Sequence, residues 1–292
     1  MRTKSILLSV ILFIAITAFK ADKPSYQLFN KNGKNVKYKK LIKQAAEADI
    51  ILIGELHNNS ISHWLELEIT KDLFSLQKKQ ITLGAEMFEA DNQTIIDEYL
   101  SGLIKQKNFE DEAKLWPNYK TDYKPLMEFA KKNKIRFIAT NIPRRYASLV
   151  HSKGFEGLND LSATAKSWVA PLPIAYDPEL PGYKQMADMM KKMGRGKMAN
   201  DNIAKAQASK DATMAYFIQQ NWESGQQFIH YNGAYHSDNF EAISWHLKKQ
   251  NPDLKILTIS TIEQENIKEL NEESINTADF IIVVDNDVTK TY

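Results

Sequence analysis

The chain has 292 residues, 43% of them hydrophobic, which suffices for a sizeable core and excludes a disordered or fibrous protein. Its 38 basic residues nearly balance 36 acidic ones, so the strong positive field on which nucleic-acid binding rests is missing and no nucleic-acid partner is expected. With no cysteine there is no disulfide, no thiolate ligand for a metal or haem and no lipoprotein anchor, and metal chemistry falls to His, Glu, Asp, Tyr or Met.

Arg2 and Lys4 precede an apolar run from Ile6 to Ile16 and the small residues Thr17, Ala18 and Ala21, the three-part layout of a secretory signal. The run is shorter than the roughly 20 residues a spanning helix needs. Residues 1–21 are therefore expected to be a cleaved signal peptide, residues 22–292 a single domain, and the destination periplasmic or secreted. Without Arg2, Lys4 and Lys20 the basic count falls to 35, and the mature chain is close to neutral.

Residues 22–38 are polar and carry Asn32-Gly33, a turn dipeptide, which predicts a short leading arm or hairpin. A helical stretch over 39–48 leads into Ile50-Ile51-Leu52-Ile53, a continuous apolar run that reads as a strand buried on both faces of a parallel sheet. Gly54 then permits a turn, and Glu55 and His57 emerge at the strand end. Over 60–79 the apolar residues recur at three and four, an amphipathic helix with Ser60 as its expected N-cap. The second strand, 81–85, ends in Glu86, and helices over 92–103 and 123–133 flank the break at Trp116-Pro117. The third strand, 135–139, runs into Asn141, Pro143, Arg144 and Arg145, where Pro143 suits the first turn of a helix.

Between residues 154 and 200 the alternation stops and proline and methionine accumulate, the mark of an inserted lid. Tyr183, Met186, Met190 and Met193 share one helical face there, stopped by Gly194. A helix over 201–224, a strand over 227–231 ending at Asn232 and His236, a helix over 239–250 and strands at 255–260 and 280–284 complete the chain. Six strands alternating with helices predict an α/β fold, a central mainly parallel sheet flanked by helices, with a helical Met-rich lid insertion.

Ligands gather outside the carboxyl ends of such strands. Glu55, His57, Glu86, Asn141, Arg144, Asn232 and His236 converge there, carboxylates beside imidazoles that could do general acid–base work. Glu55, His57, Glu86 and His236 could equally ligate a divalent metal ion. His63, in the first turn of its helix, is expected to face solvent; His151, His230 and His246 read as structural, and Glu89 and Arg145 as surface groups. Methionine is an adaptable core filler, so the Met face has a packing explanation. Its setting beside Tyr176, Tyr183, Lys184, Lys191, Lys192, Arg195 and Lys197 also offers what haem needs: an apolar wall, an iron ligand and cations for the propionates.

Gly54-Glu55-Leu56-His57 with His63, Ala85-Glu86-Met87-Phe88, Asn141-Ile142-Pro143-Arg144, the Gln207, Asp211 and Met214 helix and Asn232-Gly233-Ala234-Tyr235-His236 occur in an order that resembles the ChaN-like haem-binding uptake family, over residues 40–262. That family is similar to the Tiki proteases and the erythromycin esterases. The resemblance implies a parallel α/β fold, an exported bacterial protein of iron acquisition, and haem under a helical lid between two subunits. Haem or a related porphyrin, a second copy of the chain and outer-membrane uptake machinery are the implied partners. Tyr176 or Tyr183 is then the expected axial ligand, Met186, Met190 and Met193 the apolar wall, and Arg195 a cofactor contact. A hydrolase acting on an ester or peptide bond is the competing expectation, with Glu55, His57, Glu86 and His236 positioning water, directly or through a divalent metal, and Arg144 stabilising negative charge. Two departures stand out: family members are often lipoproteins, and their histidine motif is more often a shorter Gly-x-Gly-His.

Overall fold

The computed structural model describes residues 23–192 and 197–292. The expected signal peptide, the Gly194 helix stop, Met193 and Arg195 lie outside the described residues. No described helix is long and apolar enough to cross a membrane.

The strand and helix order is β1 (Tyr26–Asn30), α1 (Tyr38–Ala45), β2 (Ile50–Glu55), α2 (Ser60–Leu76), β3 (Ile81–Glu89), α3 (Gln93–Ser101), α4 (Gln106–Glu112), α5 (Lys124–Asn133), β4 (Arg136–Asn141), α6 (Arg144–Lys153), α7 (Pro181–Lys192), α8 (Lys197–Asn221), β5 (Gln227–Gly233), α9 (Ile243–Gln250), β6 (Ile256–Gln264) and β7 (Phe280–Asp285). Seven strands form one sheet in the order β1-β7-β6-β2-β5-β3-β4, parallel except for β1. The α/β architecture is as expected, with one strand more. β1 pairs antiparallel with β7, and the Asn32-Gly33 turn folds the chain back to an isolated bridge between Phe29 and Asn35. Gly33 takes a φ of +73° there, a region open to glycine at little cost.

Side chains alternate across the sheet and divide the core in two. Ile51, Ile53, Leu83, Ala85, Ile229 and Tyr231 pack on one face with Leu65, Ile69 and Leu73 of α2. Ile50, Leu52 and Phe228 pack on the other with Met214 and Ile218 of α8. Register then fixes the rim. Glu55 lies opposite Gly233, and Ala85 opposite Tyr231, so β2, β3 and β5 end almost level. A register shift after Ala85 turns the end of β3, the kind of irregularity that re-aims side chains near a site.

Two local expectations are corrected. The N-cap of α2 is Asn59, not Ser60: its side-chain oxygen accepts from the backbone N–H groups of Ile61 and Ser62 at 3.0 and 3.1 Å. His63 does not face solvent but is 5% exposed, because the first turn of α2 runs beneath the end of β2. Within the insertion, α7 packs on α8 through Tyr183, which is buried with Ala204 and Ala208.

Candidate functional site

The rim carries a cavity of about 790 Å³ walled by residues from successive strand ends: Glu55 and His57 after β2, Glu86 and Glu89 on β3, Asn141 and Arg144 after β4, and Gly233 to His236 after β5. Trp116 closes one side, with its ring edge-on to His57 at 4.9 Å, and Met186 of α7 closes another. Glu89 therefore faces the cavity rather than bulk solvent; it is buried and paired with Lys114 at 2.6 Å. Arg145 does lie at the surface, bonded to Asp91. His230 and His246 are buried among core groups, His230 beside Thr140 and Asn232 at 2.8 and 3.1 Å.

Two carboxylate–imidazole assemblies reach this rim from opposite faces of the sheet. On the α8 side, the two oxygens of Glu86 accept from the Gly233 N–H at 2.8 Å and meet His236 Nε2 at 3.1 Å. His236 Nδ1 bonds Asp211 of α8, whose other oxygen accepts the Tyr183 hydroxyl at 2.8 Å. Burial pushes the His236 imidazolium down, but Glu86 and Asp211 raise it by more, to about 10. His236 with His57 and Lys210 holds Glu86 below the usual carboxylate range against the opposing effect of its burial. This assembly is an ion pair in place before any ligand arrives.

On the α2 side, Glu55 Oε1 accepts from the Tyr123 hydroxyl and bonds His57 Nδ1, each at 2.7 Å. Burial lowers the His57 imidazolium and its two carboxylate neighbours, Glu55 and Glu86, outweigh that, leaving it above its ordinary value. His57 Nε2 points along Gly233, where an added Cβ would stand 2.7 Å from it. Deeper still, His63 Nδ1 lies 3.1 Å from Glu66 Oε2 and 3.6 Å from Glu55 Oε2. Burial and mutual repulsion with Glu66 push Glu55 up to about 8, and burial raises Glu66 likewise to about 8. Among the described residues, Glu55, His63 and Glu66 are the three groups whose ligand atoms all fall within 4.8 Å of one another. That differs from the set read from the sequence, because Glu86 and His236 are committed to each other, to Gly233 and to Asp211.

The residues of the expected lid divide as well. Met186 lines the rim cavity and an adjoining surface cavity of about 960 Å³, as does Tyr235; Met189, Lys184 and Lys192 line the second. Tyr183 is 2% exposed with its hydroxyl on Asp211, and Tyr176 packs against it at 5.6 Å. Met190 is half-buried on α7. Sequence reading passed over Glu66 and Tyr123, and it named Asp211 and Tyr235 within motifs without giving either a role. Glu66 had a signal: Ser62, Glu66 and Thr70 recur every four residues on the buried face of α2.

Fold and rim together define a parallel α/β protein with a ligand cavity at the strand ends, ringed by acid–imidazole pairs beneath a helical insertion. The sequence model of the family described as haem-binding uptake, Tiki superfamily, ChaN matches residues 41–247, and the chain belongs to that family. Among solved structures, a ChaN of Campylobacter jejuni, whose study describes cofacial heme binding, superposes with a TM-score of 0.64 at 17% identity, covering 89% of this chain and 96% of that one. A Bacillus cereus protein superposes with a TM-score of 0.51 at 12% identity, covering 89% and 95%. Among curated proteins, Protein RETICULATA-RELATED 5, chloroplastic, of Arabidopsis thaliana is 24% identical over 128 residues, 42% of this chain. The chain spans 17% of that relative's length.

Proposed function

We propose that this chain is an exported haem-binding protein of iron uptake and that it holds haem across the rim cavity and the adjoining surface cavity. The observation that carries the reading is that the two cavities adjoin at Met186 and Tyr235, with His57 lining one and Met189 the other. Each cavity is within the size range of small-molecule sites. Trp116, Leu115, Ile142 and Met186 supply an apolar wall, and Lys114, Arg144, Lys210, Lys184 and Lys192 supply cations around it. Haem, when bound, brings an iron that takes an axial Tyr, His or Met ligand and propionates that seek cations.

Tyr235 is the phenol best sited for the iron, being 38% exposed at the junction of the two cavities. Its hydroxyl donates to the neutral Gly182 carbonyl at 2.8 Å, whereas that of Tyr183 is committed to a buried carboxylate. Family membership supports the ligand. Transport partners of the outer membrane and a second copy of the chain over exposed Met189 and Tyr235 belong to the same proposal.

Titration with haemin tests it. A saturable Soret shift is expected, altered in Tyr235→Phe and kept in position in Tyr183→Phe. No saturable shift overturns the haem reading, and an unchanged spectrum in Tyr235→Phe overturns the ligand assignment.

A second reading rests on a separate observation: Glu55–His57 and Glu86–His236 face one cavity with Arg144 at its edge, an arrangement suited to activating water and stabilising an oxyanion. Turnover across a panel of esters and peptides, lost in Glu86→Gln, is its expected signature. No turnover across that panel removes it.

A further inference from the structure

We propose a second, buried ligand site beneath the rim: Glu55, His63 and Glu66 form a binding site for a divalent first-row cation of the zinc class. The argument begins with His63. Its Nε2 lies 3.2 Å from the His57 backbone carbonyl, which can only accept, so that nitrogen is the donor there and Nδ1 is the ring atom turned inward. Asn118 bonds the same carbonyl at 2.9 Å and Asp122 at 2.6 Å, and Asp122 stands 3.5 Å from Nε2, so the ring is fixed from behind. A ligating histidine oriented through its far nitrogen is the usual outer-layer arrangement of a metal site.

In front of Nδ1 are two carboxylates that present lone pairs. Glu55 and Glu66 are 2% and 0% exposed, and Glu55 Oε2 and Glu66 Oε1 have no hydrogen-bond partner. Glu55 Oε1 is already engaged by Tyr123 and His57, which leaves Oε2 aimed at the His63 ring, 3.6 Å away. Buried acceptors without donors are costly, and two buried carboxylates converging on one imidazole nitrogen call for positive charge between them. A tetrahedral cation with bonds of about 2.0–2.2 Å places its ligands about 3.4 Å apart. The separations from His63 Nδ1, 3.1 Å and 3.6 Å, straddle that edge length. Mixed imidazole and carboxylate donors without sulfur suit a borderline cation.

The site does not depend on the haem reading. It touches the rim through Glu55, whose outer oxygen holds His57 at the cavity wall, so the cation would anchor that histidine from below.

Cobalt(II), which reports tetrahedral coordination by its visible absorption, is the probe, titrated without haem into the chelator-stripped full-length protein. One equivalent is expected to bind with intense ligand-field bands that stoichiometric zinc displaces. Glu66→Gln keeps the side-chain shape and removes one ligand oxygen's charge; it is expected to weaken cobalt binding at least about tenfold, the loss that even outer-layer changes produce. His236→Gln, at the rim, is expected to leave the bands intact. Circular dichroism checks each fold, and if His63→Ala fails to fold, Glu66→Gln decides. Absence of saturable binding overturns the site in favour of shared protons between the carboxyls. Bands that survive Glu66→Gln and vanish in His236→Gln overturn it in favour of a metal at the rim. Either failure leaves haemin binding untouched.

Discussion

At the scale of single residues, the rim is organised by charge more than by shape. His236 sits between Glu86 and Asp211, and its folded value of about 10 stands above the ordinary 6.5. The stability it contributes is therefore fully present below pH 6.5 and lost as pH rises through about 10. Glu86, held below its ordinary 4.5, contributes stability that is present above pH 4.5 and lost as pH falls through its lower folded value. Both statements describe one ion pair, so they are not summed. Thermal melts of wild type and His236→Gln across pH 5–10 should show a gap that is widest near pH 5–6 and narrows toward pH 10; a pH-independent gap would contradict the assignment. Gly233 sets the shape of the same spot. A methyl group at this position would meet His57 Nε2 at 2.7 Å and Cε1 at 2.9 Å, although the backbone φ of −56° suits any residue. Gly233→Ala is thus expected to fold and to displace His57, lowering haemin affinity by roughly tenfold, about 1.4 kcal/mol, in a Soret titration.

Much of this rim was legible in the sequence, and the reason is positional. Glu55, Glu86 and Asn141 stand at the ends of apolar runs that read as buried strands, and His236 follows five residues after another, so sheet topology carries them to one edge. Asp211 and Tyr123 are different. One lies in the middle of a long helix and the other closes an irregular turn before α5, and nothing in their neighbours' spacing tells which way either points. Tyr183 illustrates the converse: periodicity found its buried face correctly, but burial and contact with a ligand have the same sequence pattern.

At the scale of elements, β1 read as a short arm or hairpin rather than a strand of the main sheet because five residues at a sheet edge carry a weak pattern, and α4 was missed because its seven residues are mostly charged or polar. The start of α2 shows how a local signal shifts by one residue. Asn59 and Ser60 are both good caps by type, and Asn59 prevails because its amide also donates to Glu263 at 2.9 Å across the chain. Asn59→Ala removes the cap beneath the rim and leaves the first turn of α2 with unpaired N–H groups. The expected cost is about 1–2 kcal/mol, read as a fall in Tm of about 2–4 °C for each kcal/mol lost. A shift below half a degree would mean that water caps the turn equally well.

At the scale of the whole molecule, α7 buries a single side chain, Tyr183, and is otherwise tied to α8 and to the loop after β5 at a few polar points. The Gly182 N–H donates to Glu241 at 2.8 Å, the Gly182 carbonyl accepts from Tyr235, and Tyr183 donates to Asp211. The last of these joins α7 to the rim, because the Asp211 carboxylate that receives Tyr183 also bonds His236. A helix held through a shared carboxylate can loosen without unfolding the sheet, since elements with few buried apolar contacts open at lower free energy than the core. Tyr183→Phe keeps the ring packed on Ala204 and Ala208 and deletes the single hydrogen bond. Amide hydrogen exchange should then quicken over α7, residues Pro181–Lys192, while β2, β3 and β5 exchange as in wild type. Uniform acceleration over α7 and sheet alike would show instead that Tyr183 supports the global fold, and unchanged exchange over α7 would show that the Gly182 contacts suffice to hold this helix.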